Sequence, residues 1–261
     1  MIGVMTHPLR ELTVDRLRVQ IFPDRAALGE AAGTAAAGEI ARVLQEKGSA
    51  RVILASAPSQ NELLTTLTES AIDWSRVTLF HMDEYVGVDA QSPASFRRYQ
   101  AEHVLSRIKP ATFHGIAGEA SDTESECARY KRLLNESPID VVCLGIGENG
   151  HLAFVDPPFA DFNDPLMVKI VELDEMCRHQ QVHDGCFPNL DAVPSRAITL
   201  TLPALLRGKA LFCAVPGPRK AQAVRDTLHG PMSPVCPATI LRTHPNATLY
   251  LDQDSASLLR A

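Results

Sequence analysis

The sequence predicts an α/β fold: a three-layer, open, mainly parallel twisted sheet with helices on both faces, in a Rossmann-like arrangement. Short, continuous apolar runs recur along the chain, and such runs are typical of strands buried on both faces. Helical stretches separate many of these runs, and this alternation implies right-handed crossovers and a mainly parallel sheet. A length of 261 residues suits one domain, and we predict a single domain over residues 1–261.

Seven segments are predicted as strands: 51–55, 77–80, 140–144, 168–171, 197–200, 210–215 and 247–251. Five segments are predicted as helices: 24–47, 60–70, 95–107, 123–135 and 219–229. The first helix is rich in alanine and ends before Gly48, a residue that commonly terminates helices. Residues 159–194 have few strong periodicities, and we interpret them as a cover over an active site.

The charge balance and the apolar runs indicate the cellular location of the protein and the class of its partners. With 25 Lys and Arg against 31 Asp and Glu, the net charge is −6, which argues against nucleic acid as a partner. No apolar run approaches the ~18–20 residues needed to cross a bilayer, and residues 1–7 lack the features of a signal peptide. We therefore expect a cytoplasmic protein without a membrane partner.

The six cysteines are scattered and contain no C-x-x-C pair. This spacing favours reduced thiols, most of them small core residues, over a disulfide framework or a zinc site. We predict no metal and no cofactor.

Two adjacent carboxylates, Asp83 and Glu84, follow the strand at 77–80. In parallel sheets ligands bind beyond the carboxyl ends of the strands, so this position faces a cleft. Only one of the two can point inward, because successive side chains of an extended segment face opposite sides. A partly desolvated carboxylate there can abstract a proton. The alternative is a loop acid that caps a helix or pairs with Arg97 or Arg98.

A glycine-rich loop follows the strand at 140–144, with Gly145, Gly147 and Gly150 in a G-x-G-x-x-G pattern. A dinucleotide site would need a full helix that begins at the third glycine. Pro157 and Pro158 stop any such helix within two turns. The glycines therefore favour a sharp turn and a close approach of the backbone to a small ligand.

The same loop carries His151, with Asn149 two residues before it and Asp156 five residues after it. A histidine oriented by an amide or a carboxylate has a fixed tautomer and can transfer protons near neutral pH. The alternative is a histidine with a structural role only.

Ser56 and Ser59 lie in the loop after the strand at 51–55, where a helix begins. Hydroxyls and free N–H groups at a helix start favour a phosphate site. Alternatively, Ser59 is a helix N-cap that forms a capping box with Glu62. Lys220 follows the strand at 210–215 and is either a phosphate ligand or a solvated lysine.

Taken together, these loops resemble the glucosamine-6-phosphate deaminase/isomerase family from about residue 24 to residue 255. The strongest elements are Met82-Asp83-Glu84-Tyr85-Val86-Gly87 and Gly145-Ile146-Gly147-Glu148-Asn149-Gly150-His151-Leu152-Ala153-Phe154, with weaker support from residues 126–130, 197–200, 219–221 and 244–247.

The resemblance implies conversion of an aldose 2-amino-6-phosphate into a ketose 6-phosphate with release of ammonia, without a metal or cofactor. It implies that Asp83 moves a proton between C2 and C1. It also implies that His151 assists ring opening, oriented by Asp156 and Asn149.

The resemblance further implies a set of substrate- and phosphate-binding residues. These are Ser56, Ser59, Lys220, Arg178, Glu84, Gly147 and Gly150. The partner is then a small-molecule sugar phosphate. The oligomeric state is left open, with a homo-oligomer as one alternative.

Two departures from the family pattern bear on the substrate. Ser56-Ala57-Pro58-Ser59 replaces a glycine- and threonine-rich phosphate loop, and Val155-Asp156 replaces Asn-Glu. They leave two alternatives open: a 6-phosphogluconolactonase that hydrolyses a sugar lactone, and a non-catalytic sugar-phosphate sensor. The Gly-His-Leu-Ala-Phe sequence and the retained Asp83 element favour the deaminase/isomerase.

Overall fold

The computed structural model describes residues 7–259, apart from the side chain of Pro158, and has the predicted α/β architecture. Residues 1–6, to which most of the signal-peptide argument applies, lie outside the described residues. The strands are β1 (Arg10–Val14), β2 (Leu17–Phe22), β3 (Ala50–Leu54), β4 (Val77–His81), β5 (Asp83–Tyr85), β6 (Thr112–His114), β7 (Val141–Leu144), β8 (Val168–Glu172), β9 (Arg196–Leu200), β10 (Ala210–Val215) and β11 (Ala247–Asp252).

The helices alternate with these strands along most of the chain. They are α1 (Arg25–Lys47), α2 (Asn61–Glu69), α3 (Phe96–Gln100), α4 (Thr123–Asn135), α5 (Glu175–His183), α6 (Leu202–Leu206) and α7 (Ala221–His229). The predicted helix at 95–107 is shorter than expected, because a π-helical turn from Ala101 to Leu105 follows α3. No helix in the described part of the chain combines the length and the apolar character needed to span a bilayer.

The main sheet has eight strands in the order β1-β2-β11-β10-β7-β3-β4-β6. All neighbours pair in parallel except β1 and β2, which form an antiparallel hairpin. This hairpin was not predicted from the sequence, because β1 is largely exposed and lacks a continuous apolar run. The carboxyl ends of β10, β7, β3 and β4 lie side by side and define one edge of the sheet.

A second, three-stranded antiparallel sheet has the order β5-β9-β8. The segments predicted as strands at 168–171 and 197–200 belong to this sheet and not to the main one. One residue, Met82, separates β4 from β5, so the chain leaves the main sheet and joins the small one directly. This junction places Asp83 at the boundary between the two sheets.

Two apolar clusters cover the two faces of the main sheet. Alternate side chains of a strand enter opposite clusters, as Ile53 and Leu54 of β3 do. One cluster includes side chains of α1 and α2, and the other includes side chains of α4, α6 and α7. The result is the predicted three-layer arrangement with helices on both faces.

The six cysteines are all free thiols, as predicted. Four are buried, namely Cys127, Cys143, Cys177 and Cys213, and two are half-buried, namely Cys186 and Cys236.

Candidate active site

A cavity opens at the carboxyl ends of β3, β4, β7 and β10. Its lining brings together side chains that are far apart in the sequence, including Ser56, Ser59, Gln60, Asp83, Gly147, His151, Gln180, Gln181 and Lys220. Loops that follow parallel strands meet at one sheet edge, so the location agrees with the rule for open α/β sheets.

Asp83 lies in this cavity as the first residue of β5. Its side chain is only 6% exposed and has no hydrogen-bond partner among the described residues. Burial, and then the nearby carboxyl group of Glu84, raise the pKa of Asp83 well above its ordinary value. A carboxyl group with a raised pKa that faces a cavity is suited to accept and return a proton.

Glu84 points to the opposite side of β5, as alternation along a strand requires. It is fully buried, and its carboxylate accepts hydrogen bonds from Ser95 Oγ at 2.8 Å and from the backbone N–H groups of Phe96 and Arg97 at 3.1 and 3.0 Å. These are the free N–H groups at the start of α3. The structure therefore corrects the assignment of Glu84 to the substrate site: it caps a helix.

His151 lies beside both Asn149 and Asp156. Its Nδ1 lies 2.7 Å from Asn149 Oδ1 and 3.0 Å from Asp156 Oδ1. Because both neighbours are acceptors, Nδ1 carries the proton, and Nε2 is left as the acceptor nitrogen of the neutral ring.

Asp156 is fully buried and is held by hydrogen bonds on both oxygens. Asn149 Nδ2 donates to Oδ1 at 3.0 Å and the backbone N–H of Asp174 donates to Oδ2 at 3.0 Å. Burial alone would raise the pKa of Asp156, but the hydrogen bonds from His151 and Asn149 outweigh burial and lower it. The carboxylate therefore stays charged and can stabilise a protonated His151.

Of the two loop glycines assigned to substrate binding, Gly147 lines the cavity and Gly150 does not. A Cβ on Gly147 would lie 2.2–2.3 Å from ring atoms of His151, so only glycine lets the ring pack on the backbone. Gly150 does not line the cavity. It has a positive φ of 83°, and its Cα hydrogens face Cys236, so its role is in the turn and its assignment to substrate binding is corrected.

The two serines of the phosphate-loop prediction both line the cavity. Ser56 is buried and accepts a hydrogen bond from Gln100 Nε2 at 2.9 Å. Ser59 is not the cap of α2, because Gln60 occupies that position and Glu62 pairs with Arg25. The Ser59 hydroxyl oxygen accepts a hydrogen bond from Gln60 Nε2 at 3.2 Å, which leaves its O–H available to donate to a ligand.

Lys220 ends a 3₁₀ turn that directly follows β10, and it is the one lysine or arginine among the described residues that line the cavity. Its side chain forms no hydrogen bond or ion pair with the described residues. Burial lowers the pKa of Lys220, while the carboxylates of Asp184 and Glu148 oppose this shift. A buried cation without a direct partner favours binding of an anion.

Arg178 faces away from the cavity. Its guanidinium donates hydrogen bonds to the backbone carbonyls of Leu190 and Val193 at 2.8 and 3.1 Å, and so fastens the loop after α5. The structure corrects its assignment as a phosphate ligand, because the outer face of α5 directs this side chain into the loop.

The sequence did not predict that α5 forms part of the cavity wall. Gln180 and Gln181 line the cavity, and Cys177 lies one turn before Gln181. Glutamine carries no signature of a particular chemistry, and the segment has weak periodicity, so no pattern singled these residues out. The cavity has a volume of about 70 Å³.

Among the described residues, one group could offer three ligand atoms to a metal ion: His151, Asp156 and Cys177, whose atoms lie within 4.8 Å of one another. Burial and the Asp156 carboxylate raise the pKa of Cys177 well above its ordinary value, which favours the neutral thiol. Because a metal binds the thiolate and displaces the proton on His151, the arrangement fits a hydrogen-bonded proton relay better than a metal centre.

Comparison with known proteins identifies the family of this chain. The sequence pattern of the family described as Glucosamine-6-phosphate isomerases/6-phosphogluconolactonase matches residues 23–250. The chain is 36% identical over 208 residues to a glucosamine-6-phosphate deaminase of Listeria monocytogenes serotype 4b (strain CLIP80459), covering 79% of this chain and 86% of that protein. It is 35% identical over 219 residues to a glucosamine-6-phosphate deaminase of Bacillus thuringiensis (strain Al Hakam), covering 84% and 82%.

Solved structures show the same fold. A monomeric glucosamine-6-phosphate deaminase superposes with a TM-score of 0.84 at 30% identity, covering 92% of this chain and 99% of the other. A 6-phosphogluconolactonase from Shewanella baltica OS155 superposes with a TM-score of 0.74 at 20% identity, covering 92% and 99%, and at that identity it supports the fold alone. The chain belongs to the glucosamine-6-phosphate isomerase/6-phosphogluconolactonase family.

Proposed function

We propose that this protein is a glucosamine-6-phosphate deaminase/isomerase that converts an aldose 2-amino-6-phosphate to a ketose 6-phosphate and releases ammonia. One observation carries the proposal: Asp83, a buried carboxyl group without a hydrogen-bond partner in the described part of the chain, shares a cavity with an oriented imidazole, His151. The identity to the Listeria and Bacillus deaminases supports the same reaction.

In the first step His151 assists opening of the sugar ring. Nε2 is free to exchange a proton with the ring oxygen and the C1 hydroxyl, while Nδ1 is held by Asn149 and Asp156. The charged Asp156 stabilises the imidazolium that forms transiently. Fixing the ring on Gly147 keeps Nε2 in one position.

In the second step Asp83 takes the proton from C2 and returns it to C1. The amino nitrogen loses a proton and O1 gains one, so that C2 becomes an imine and C1 a hydroxymethyl group. One water molecule then hydrolyses the imine to the ketone and ammonia, so the net reaction consumes one water. A carboxylate that is short of hydrogen-bond donors is a stronger base than a solvated one, which favours the abstraction.

The phosphate group supplies the binding energy at the other end of the substrate. We assign it to Lys220 together with the hydroxyls of Ser56 and Ser59, which line the same cavity. A phosphate dianion would offset the burial of the Lys220 ammonium group. The net charge of −6 supports a small-molecule substrate and not nucleic acid. We expect the reaction to take place in the cytoplasm.

The test is ammonia and fructose 6-phosphate release from glucosamine 6-phosphate by the purified protein. We expect the two products in equal amounts. Hydrolysis of 6-phosphogluconolactone, run alongside, tests the lactonase alternative. Binding of the amino-sugar phosphate without either reaction would reject catalysis and support a sensor.

A further inference from the structure

Gln181 is a buried residue whose amide lines the cavity and has no hydrogen-bond partner among the described residues. Its side chain is 6% exposed, lines the cavity, and forms no hydrogen bond with the described residues. The neighbouring Gln180 is equally buried, but both of its ends are used: Oε1 accepts from the Glu148 N–H at 2.8 Å and Nε2 donates to Asp184 Oδ2 at 3.3 Å. The two glutamines therefore differ in what their amides bind.

A buried polar group without a partner destabilises the fold, so such groups in native proteins are usually satisfied by water or a ligand. The position of Gln181 is fixed, because α5 is anchored at its N-cap and again one residue before Gln181. The Asp174 N–H donates to Asp156 at the start of α5, and Gln180 holds the glycine-rich loop near its end. The amide of Gln181 is thus held at the cavity for a bound molecule.

The chemistry of an amide indicates which part of a substrate it contacts. A glutamine offers two N–H donors and one carbonyl acceptor, and a sugar hydroxyl is likewise both donor and acceptor. A phosphate dianion only accepts hydrogen bonds, and the cavity already has Lys220 for it. The sugar hydroxyls lie between the reacting carbons and the phosphate.

We propose that Gln181 hydrogen-bonds the hydroxyl groups of the sugar and determines which epimer the site accepts. This inference rests on the proposed function, because it assumes a hexosamine phosphate in the cavity. Gln181 lies four residues after Cys177, on the same face of α5. The hydroxyls it contacts therefore lie beside the His151 and Asp156 pair.

The test compares kcat/KM for glucosamine 6-phosphate and its C4 epimer, galactosamine 6-phosphate. Gln181→Met keeps the length of the side chain and removes its hydrogen bonds. We expect a fall of ~10-fold or more in kcat/KM for the preferred epimer, carried mainly by KM, and a ratio between the epimers that moves toward one. Inhibition by inorganic phosphate should not change, because Lys220 is intact.

Gln180→Met is the matched control. This substitution removes the acceptor of the Glu148 N–H, so it should lower the melting temperature, whereas Gln181→Met should not. Gln180→Met should leave the epimer ratio as in the parent protein. An unchanged epimer ratio in Gln181→Met would overturn the inference, as would a parent protein that prefers neither epimer.

Failure of the inference can be told apart from failure of the proposed function. If the parent protein releases ammonia and Gln181→Met has the same epimer ratio as the parent, the inference about Gln181 is rejected and the proposed function stands. A parent protein that releases no ammonia rejects the deaminase. In that case the thermal shifts given by the two epimers are compared instead, and a difference that Gln181→Met abolishes supports the inference. The absence of any shift overturns both.

Discussion

The folded protein disfavours the ionised form of Asp83. Its pKa is raised by burial, so the folded state binds its proton more strongly than the unfolded chain does. The contribution of Asp83 to stability therefore falls as the pH rises above the ordinary pKa of a carboxyl group. Ionising Asp83 to give the base that the reaction needs therefore costs fold stability.

We expect Asp83→Asn to lower turnover by ~100-fold or more, the scale of a lost acid–base group, while sugar-phosphate binding is kept. Because the amide is neutral at every pH, the variant should also melt at a higher temperature than the parent at pH 7, and this gain should disappear near pH 4. Steady-state kinetics and thermal melts at both pH values measure these effects. Near-parental turnover would remove Asp83 from the mechanism.

Gly147 lets the catalytic histidine lie against the backbone. A methyl group at this position would overlap the His151 ring, at 2.2 Å from Cε1. We expect Gly147→Ala to displace the ring and lower kcat by ~10-fold or more, with a smaller effect on phosphate binding, which uses other side chains. A crystal structure of the variant would show the moved ring, and kcat at the parental level would contradict the prediction.

At the scale of elements, α1 and α2 pack closely because two glycines of α1, Gly29 and Gly33, face α2. A Cβ on Gly33 would lie 2.6 Å from the Thr66 Cβ and 2.7 Å from the Leu63 carbonyl oxygen. On the same helix, Gly38 is exposed, and a Cβ added there would have no neighbouring atom within 4 Å. Substitution of Gly33 therefore tests the contact between the two helices, and substitution of Gly38 tests helix propensity alone.

We expect Gly33→Ala to lower the free energy of unfolding by about 1–3 kcal/mol, because the methyl group forces the helices apart. Gly38→Ala should instead raise the free energy of unfolding by up to about 1 kcal/mol, through the better helix propensity of alanine. Urea denaturation measures both. Changes of equal sign in the two variants would reject the contact argument.

The elements also show what the sequence could and could not predict. Continuous apolar runs predicted β3, β4, β7 and β10, and the residues that follow these strands include Asp83, His151 and Lys220. Glu84 and Arg178 were misplaced, because sequence alone does not tell which side of β5 or α5 faces the cavity. Gln181 was missed, because its importance depends on burial without a partner, a property of the fold and not of the residue type.

At the scale of the whole molecule, the strand order decides which loops meet. The four loops of the cavity come from adjacent strands in the order β10-β7-β3-β4, whereas along the chain they are separated by tens of residues. Alternation of strands and helices predicted a parallel sheet, but it did not predict this order. Nor did it predict that β5, β8 and β9 form a separate sheet, since the pairing is set by long-range contacts.

The response of the whole fold to acid depends on a buried histidine outside the proposed chemistry. His81, at the end of β4, is fully buried against the rings of Phe113 and Tyr130, and neither ring nitrogen has a hydrogen-bond partner among the described residues. Burial, and then the positive charge of Arg97, lower the pKa of His81 to about 3 from an ordinary value of 6.5.

A depressed histidine pKa means that the unfolded chain binds the proton first as the pH falls. The stability that depends on neutral His81 is therefore complete above pH 6.5 and is lost progressively below it. Between pH 7.5 and pH 5 this loss amounts to about 2 kcal/mol.

We expect His81→Leu, which fills the same space without a titrating group, to reduce the acid loss of unfolding free energy by about that amount. His229→Gln, at an exposed position on the last turn of α7, is the control and should leave most of the acid loss in place. Denaturant unfolding of the three proteins at both pH values measures the difference, and parallel curves for parent and His81→Leu would show that the acid response arises elsewhere.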